Sequence, residues 1–384
     1  ESEKEDIDTI VYPSSPAACI EMAKALVMPD QGLDQMLVNY AEGRYLLETD
    51  PTSALNIFEG LYSTGESRGV SKFTFLAGVG KGIAFEKTGQ LEKARDAFKK
   101  SVDYAEQIRE SLDERARLKF MDGEEIFGIK HVFPYESLAR VLMNLGMSEE
   151  SLKISEYTTS RIFSESLARR NPDANADTPK EILEKDATLN NHLAGLLREL
   201  ELSKLNACAE THGKLTTEIA KARNDLQTHI SLLRQQYPLF AVTKYPEPTP
   251  LSSVGLTGSE MALIYNVTDS ALLVYVLQGT KILKTSLKEV SRKELETMVR
   301  RFRHPVDVTP GKDTISDKLR TFDLQTGKTL SDILVHDFLP LMPIGTPLMI
   351  VPADCLGTLS FEMLPLSDDG AIIDDGLFIT VSGA

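Results

Sequence analysis

The feature that most constrains this chain is a degenerate repeat of small and aromatic residues in its first half. Gly82 is followed by Phe85, Gly89, Leu91, Ala94 and Phe98. At the same offsets stand Ala139, Leu142, Gly146, Ser148, Ser151 and Ser155, and an earlier copy keeps Tyr45, Thr49, Ala54, Phe58 and Leu61. Small residues where helices touch, a glycine at the turn and an aromatic that plugs the neighbour describe two antiparallel helices. Such a pair cannot bury its face alone, so the copies must stack on one another.

The surrounding pattern agrees. From Ile7 to Tyr237 apolar residues recur at intervals of three and four, the period of helices. Leu189, Leu193, Leu196 and Leu200, and then Leu215, Ile219, Ala222, Leu226, Ile230 and Leu233, form coiled-coil-like stripes. They fit two helices in a hairpin turning near Thr211-His212-Gly213, or one helix of about 57 residues and about 85 Å. From Met261 onward the texture changes to short β-branched and aromatic runs: Met261–Val267, Ala271–Leu277, Ile282–Thr285, Leu348–Val351 and Leu377–Val381. With amphipathic stretches between them, these read as α/β. Four prolines between Pro238 and Pro250 favour extended backbone and mark the seam.

Composition excludes several classes. Charged residues make up 26% and apolar residues 42%, ordinary for a globular chain and far from collagen-like or disordered sequence. No apolar run reaches the eighteen or so residues of a membrane helix, so no membrane partner is expected. The net charge is −15, with 19 basic and 29 acidic groups over residues 1–165, which repels nucleic acid on average. The acidic half suits a protein partner with a basic face, or simply solubility. Cys19, Cys208 and Cys355 are far apart and form no CxxC pair. That argues against a disulfide framework or a structural zinc and fits a reducing, cytoplasmic location. No cofactor and no metal are expected.

Motifs that could carry chemistry have plainer explanations. Ala77-Gly78-Val79-Gly80-Lys81-Gly82 lacks the glycine six residues before the lysine and the Ser or Thr after it that a phosphate loop needs. Its glycines suit close helix packing instead. Cys208 and His212 are four apart but fall at the expected helical turn, and His304 and His336 have no evident partner. Asp368-Asp369 and Asp374-Asp375 flank a glycine-rich turn and read as a solvated hairpin.

The helical repeat resembles the tetratricopeptide repeat (TPR), though its copies lie 40 and 57 residues apart rather than 34. The second gap holds an insertion near residues 102–134, including Met121-Asp122-Gly123-Glu124-Glu125-Ile126-Phe127-Gly128, which can serve binding or be a tolerated surface loop. The second half resembles the CHAT domain, the caspase-related family found behind such repeats. The resemblance rests on the order of features. Leu232-Leu233-Arg234-Gln235-Gln236-Tyr237-Pro238 comes first, then the apolar strand pair at 261–277 and Val290-Ser291-Arg292-Lys293-Glu294-Leu295. Pro347-Leu348-Met349-Ile350-Val351-Pro352 then runs into Leu359-Ser360-Phe361-Glu362-Met363-Leu364-Pro365-Leu366. It implies a cysteine endopeptidase with a His–Cys dyad on strands that follow the segment ending at Ala384. Cys355 stands where the family has a structural turn, so the dyad is expected C-terminal to Ala384 and this chain is expected to be inactive alone.

The expected architecture is therefore multidomain, α plus α/β. It comprises a TPR-like α-solenoid over 1–170, a coiled-coil-like hairpin over 171–237, a proline-rich linker over 238–258 and the N-terminal part of a caspase-like α/β domain over 259–384. The Leu348–Val351 run is expected to be a buried central strand. The resemblance implies a sensor that binds a protein or peptide on the concave face of the repeats and controls proteolysis. The remainder of the CHAT domain is a second expected partner. The alternatives are a non-catalytic scaffold, or an effector docked on an RNA-guided complex through protein rather than RNA. Counting from Gly82 and Ala139, with the first repeat in matching register, the partner-facing positions are Asn39, Leu76, Val79, Glu86, Glu136 and Arg140.

Overall fold

The computed structural model describes residues 15–26, 32–121, 125–170, 178–205, 209–247, 250–251, 255–307, 323–343 and 345–365. It is largely helical, with a small mixed sheet in the C-terminal part. Internal contacts separate two compact units, Glu1–Val141 with Arg161–Pro246, and Leu142–Ser160 with Glu247–Ala384. The second division lies within the proline-rich seam. The first does not follow the expected boundary at residue 170, because residues 142–160 pack with the sheet.

The first unit begins with α1 (Pro16–Leu26), α2 (Gly32–Thr49), α3 (Pro51–Arg68), α4 (Ser71–Lys87) and α5 (Leu91–Ser111). Asp50 caps α3 by accepting from the Ser53 amide at 3.1 Å, and Pro51 occupies the first helical position, where its missing N–H is no loss. Gly69 ends the helix in the left-handed region at φ 68° and returns the chain antiparallel along α4. The next turn repeats the device: Gly89 has φ 74°, and the Gln90 amide donates to the Phe85 carbonyl at 2.8 Å. Helix α4 is buried over almost its whole circumference. Its glycines make this possible, since a Cβ at Gly82 would stand 2.5 Å from the Phe98 ring and one at Gly80 2.5 Å from Phe58. Ala54, Phe58, Ala94 and Phe98 are all fully buried, as the small-and-aromatic spacing predicts.

After α5 come the one-turn α6 (Glu114–Arg117), a hairpin of β1 (Glu125–Ile126) and β2 (Ile129–Lys130), then α7 (Phe133–Asn144) and α8 (Ser148–Arg170). Helices α9 (Lys180–Leu205) and α10 (Ala209–Gln236) pack against each other through Leu193, Leu196, Leu215, Ile219 and Ala222. This is the hairpin alternative. Thr211-His212-Gly213, expected at its turn, instead lies within the first turns of α10.

The proline-rich seam departs from expectation. Residues 238–244 form α11 (Pro238–Lys244) rather than extended chain. Pro238 stands at the first helical position, which tolerates proline, and the prolines at 246, 248 and 250 all come after the helix has ended. Phe240 and Ala241 bury against Leu233, with Ile182, Leu183 and Tyr245 around them.

The second unit is built on strands β3 (Met261–Val267), β4 (Leu272–Gln278), β5 (Lys281–Lys288) and β6 (Leu348–Val351), in the order β5-β4-β3-β6. β3 pairs antiparallel with β4 and parallel with β6, and β4 pairs antiparallel with β5. β3 and β4 are buried on both faces, which explains their nearly continuous apolar sequence. One face, with Met261, Leu263, Tyr265, Val274 and Val276, packs on α12 (Arg292–Asp307) and α13 (Leu324–Leu334) through Leu295, Val299, Phe302, Leu330 and Leu334. Leu359, Phe361 and Leu364 join the same core, which accounts for the apolar run after β6. The opposite face meets the first part of α8. β5 carries Lys281, Lys284 and Lys288, charges that suit a sheet edge. β6 is not central as expected. Among the described strands it pairs only with β3, and Met349 and Val351 are exposed while Ile350 is buried. The expected strand Leu377–Val381 lies outside the described residues.

Candidate functional site

The six expected partner-facing positions fall on α2, α4 and α7, and the structure treats them differently. Leu76 and Val79 are 0% and 1% exposed, so they belong to the core and offer nothing to a partner. Glu136 is buried as well. Asn39 is half-buried and accepts a hydrogen bond from Gln35 Nε2 at 2.7 Å. Glu86 and Arg140 meet in a bidentate pair, Nε to Oε1 at 3.0 Å and Nη2 to Oε2 at 2.7 Å, each side chain about one-fifth exposed. A fork-to-fork pair of this kind fixes orientation as well as distance. It joins α4 to α7 across 54 residues of sequence.

Helix α4 is packed between α3 and α5, and part of the insertion between the second and third copies is buried beside it. Phe120, Met121, Ile129, His131 and Val132 are all buried. The His131 ring stacks on Phe120 with centroids 4.0 Å apart and lies 5.9 Å from Phe75 on α4. Glu165 accepts from the Met121 amide at 3.1 Å. Of the residues expected to line an open groove, Leu76, Val79 and Glu136 are thus interior.

At the tip of the β1–β2 hairpin, Phe127 has φ 47° and Gly128 φ 78°. A two-residue turn with both φ positive ordinarily takes Asn-Gly or Gly-Gly. The Phe127 ring is 52% exposed, stacks on Phe73 of α4 at 6.0 Å and tilts against Tyr40 of α2 at 6.2 Å. Arg44 Nη1 donates to Tyr40 Oη at 3.1 Å and reaches the Phe127 carbonyl at 3.5 Å. Each aromatic contact contributes about 0.5–1.5 kcal/mol, while a bulky residue in the left-handed region costs on the order of 1–3 kcal/mol. The two are close to balance, so the tip is held weakly compared with its buried base. Sequence inspection passes over this site because phenylalanine is the wrong residue for the slot. The available signal was the alternation Ile126-Phe127-Gly128-Ile129 around a glycine.

A second polar cluster joins α9, α10 and α11. Asp186 is fully buried; Tyr245 Oη donates to its Oδ1 at 2.7 Å, Lys244 Nζ lies 2.7 Å from Oδ2, and His229 Nε2 is 3.6 Å from Oδ1. Asn190 Nδ2 donates to Tyr245 Oη at 2.7 Å, and Arg117 donates to Asn190 Oδ1. Burial pushes the Tyr245 phenol far up, so it stays a donor. Burial also lowers the His229 imidazole below the ordinary histidine range, the Asp186 carboxylate opposing and Lys185 and Lys244 reinforcing that shift. The carboxylate is saturated by donors, which makes the cluster a staple between helices.

No protein-family model, no curated protein and no solved structure matches this chain.

The other sequence motifs resolve simply. Lys81 and its neighbouring glycines lie within α4, so they form no phosphate loop. Cys208 lies outside the described residues, as do Asp368-Asp369 and Asp374-Asp375. Cys355 is half-buried, and burial pushes its thiol up, with the Glu296 carboxylate acting in the same direction. A reactive cysteine needs the opposite environment. Among the described residues, no group of three or more His, Cys, Asp or Glu is placed to hold a metal ion, and no helix is long and apolar enough to cross a membrane.

Proposed function

We propose that this chain is the sensor and regulatory portion of a TPR–CHAT, caspase-like cysteine endopeptidase, whose helical repeats bind a protein or peptide and thereby control proteolysis. The observation that carries this reading is the interlocked packing of Phe58 on Gly80 and Phe98 on Gly82. Phe58 reaches the helix of the next copy while Phe98 packs within its own, which suits stacked helix pairs, and the order of sequence features in the second half resembles CHAT. The six-residue assignment narrows accordingly. Asn39, Glu86 and Arg140 remain accessible to a partner, while Leu76, Val79 and Glu136 hold the scaffold.

The environment of Cys355 argues against a nucleophile at that position. A thiol raised by burial is a poor nucleophile, and it follows β6 in a tight turn where Asp354 has φ 53°. The test joins this chain to whatever its reading frame encodes beyond Ala384. Peptide-library turnover that is blocked by a thiol-directed inhibitor, and altered by Arg140→Glu, is the expected result. Turnover absent from the joined protein would refute the reading and favour a non-catalytic scaffold.

A further inference from the structure

We propose that the tip of the β1–β2 hairpin, Phe127-Gly128, is a displaceable plug. Its Phe127 ring occupies a seam between α2 and α4 that, on the regulatory reading above, admits a partner segment presenting an aromatic side chain. Four observations converge on this. The turn places phenylalanine at φ 47°, where asparagine or glycine would be unstrained, so the side chain is retained at a conformational cost. That side chain is half exposed, so the ring gains little from burial. The hairpin is a two-stranded sheet of two residues per strand, joined by no third strand among the described residues, and an element of that size is marginal by itself. The floor of the seam is ready-made: Phe73 and Tyr40 supply ring faces, and Arg44, braced on Tyr40 Oη, reaches the Phe127 backbone carbonyl.

The last contact identifies the chemistry of the partner. Arg44 reads a main-chain carbonyl and the two rings read an aromatic face, so what the seam accepts from Phe127 any peptide with an exposed phenylalanine-like residue can offer. The base of the insertion stays in place during the exchange, because Phe120, Ile129, His131 and Val132 are buried while the tip is not. Occupation by the chain's own residue keeps the seam closed until such a segment arrives. The apparent affinity for that segment is scaled down by the fraction of molecules with the tip lifted.

The test is peptide binding in trans. The probe is a fluorescein-labelled octapeptide with the sequence of residues 123–130, GEEIFGIK, titrated by fluorescence anisotropy. F127N keeps a residue that tolerates the left-handed turn and empties the seam. The proposal expects F127N to bind the probe about 2-fold or more tightly than the unaltered chain, consistent with release from a self-occupied state close to balance. A probe with alanine for phenylalanine should not bind, and R44A added to F127N should weaken binding. F127G serves in the same role if F127N melts early. Equal affinity for both proteins, or no saturable binding by a variant whose thermal melt matches the unaltered chain, overturns the plug. Peptidase activity is read separately: binding without turnover in the joined protein sinks the regulatory reading and leaves the plug standing, and turnover without binding does the reverse.

Discussion

Tyr275 Oη lies 2.8 Å from the hydroxyl of Ser151 and 2.8 Å from that of Ser155, in a fully buried contact between α8 and β4. These serines occupy the places in the third repeat copy that Ala94 and Phe98 hold in the second. Where Phe98 inserts its own ring into a neighbouring helix, Ser155 receives a ring from the sheet. The serines that make the third copy look degenerate supply the polar partners of the Tyr275 hydroxyl.

Tyr275→Phe removes the hydroxyl that the Ser151 and Ser155 side chains share. Leaving buried polar groups unsatisfied costs about 1–3 kcal/mol, so urea unfolding should show a loss of that size. Adding Ser151→Ala and Ser155→Ala to Tyr275→Phe should recover part of it, because the buried hydroxyls that faced Tyr275 are then gone as well. A loss below about 0.5 kcal/mol would show that the contact does not hold α8 to β4.

Phe98→Ala should destabilise the first unit by about 3–5 kcal/mol, the range for a large core aromatic. Gly82→Ala should also destabilise, because the new methyl would stand 2.5 Å from the same ring. The double variant should lose less than the sum, since removing the ring makes room for the methyl. Additive losses would mean the two residues do not touch.

The fold was legible where the signal is local. Gly82 and Phe98 lie sixteen residues apart on consecutive helices, and β3 and β4 announce themselves by apolar runs joined by a short turn. It was illegible where the deciding partner is distant. Ser155 stands at the offset of Phe98, and nothing local shows its partner, because Tyr275 is 120 residues away. Leu76 and Val79 looked available because spacing alone places a residue on a helix face and says nothing of what covers that face. Pro238 looked like a helix breaker because position within the helix, which decides whether proline is tolerated, is set by the packing of Phe240 and Ala241.

The His229 imidazole supplies a pH dependence. Its folded value is lowered, chiefly by burial, so the unfolded chain binds the proton more readily than the folded one. The groups facing it are Asp186 and Lys185 of α9 and Lys244 of α11. Stability associated with the neutral ring is therefore complete above the ordinary histidine value of about 6.5 and is lost as pH falls below it. The denaturation midpoint should drop between pH 7 and pH 5, and His229→Leu should flatten that slope. An equal slope in both proteins would place the acid sensitivity elsewhere.

The regulatory account turns on whether these 384 residues cleave peptides unaided. Purified chain should be incubated with a broad peptide library, with and without a thiol-reactive probe, beside the Cys355→Ala and Cys208→Ala variants. The account predicts no turnover above a mock preparation and no change on either substitution, since the Cys355 thiol is pushed away from its reactive form. Turnover that disappears with Cys355→Ala or Cys208→Ala would contradict it, and would place a nucleophile within the residues assigned here to regulation.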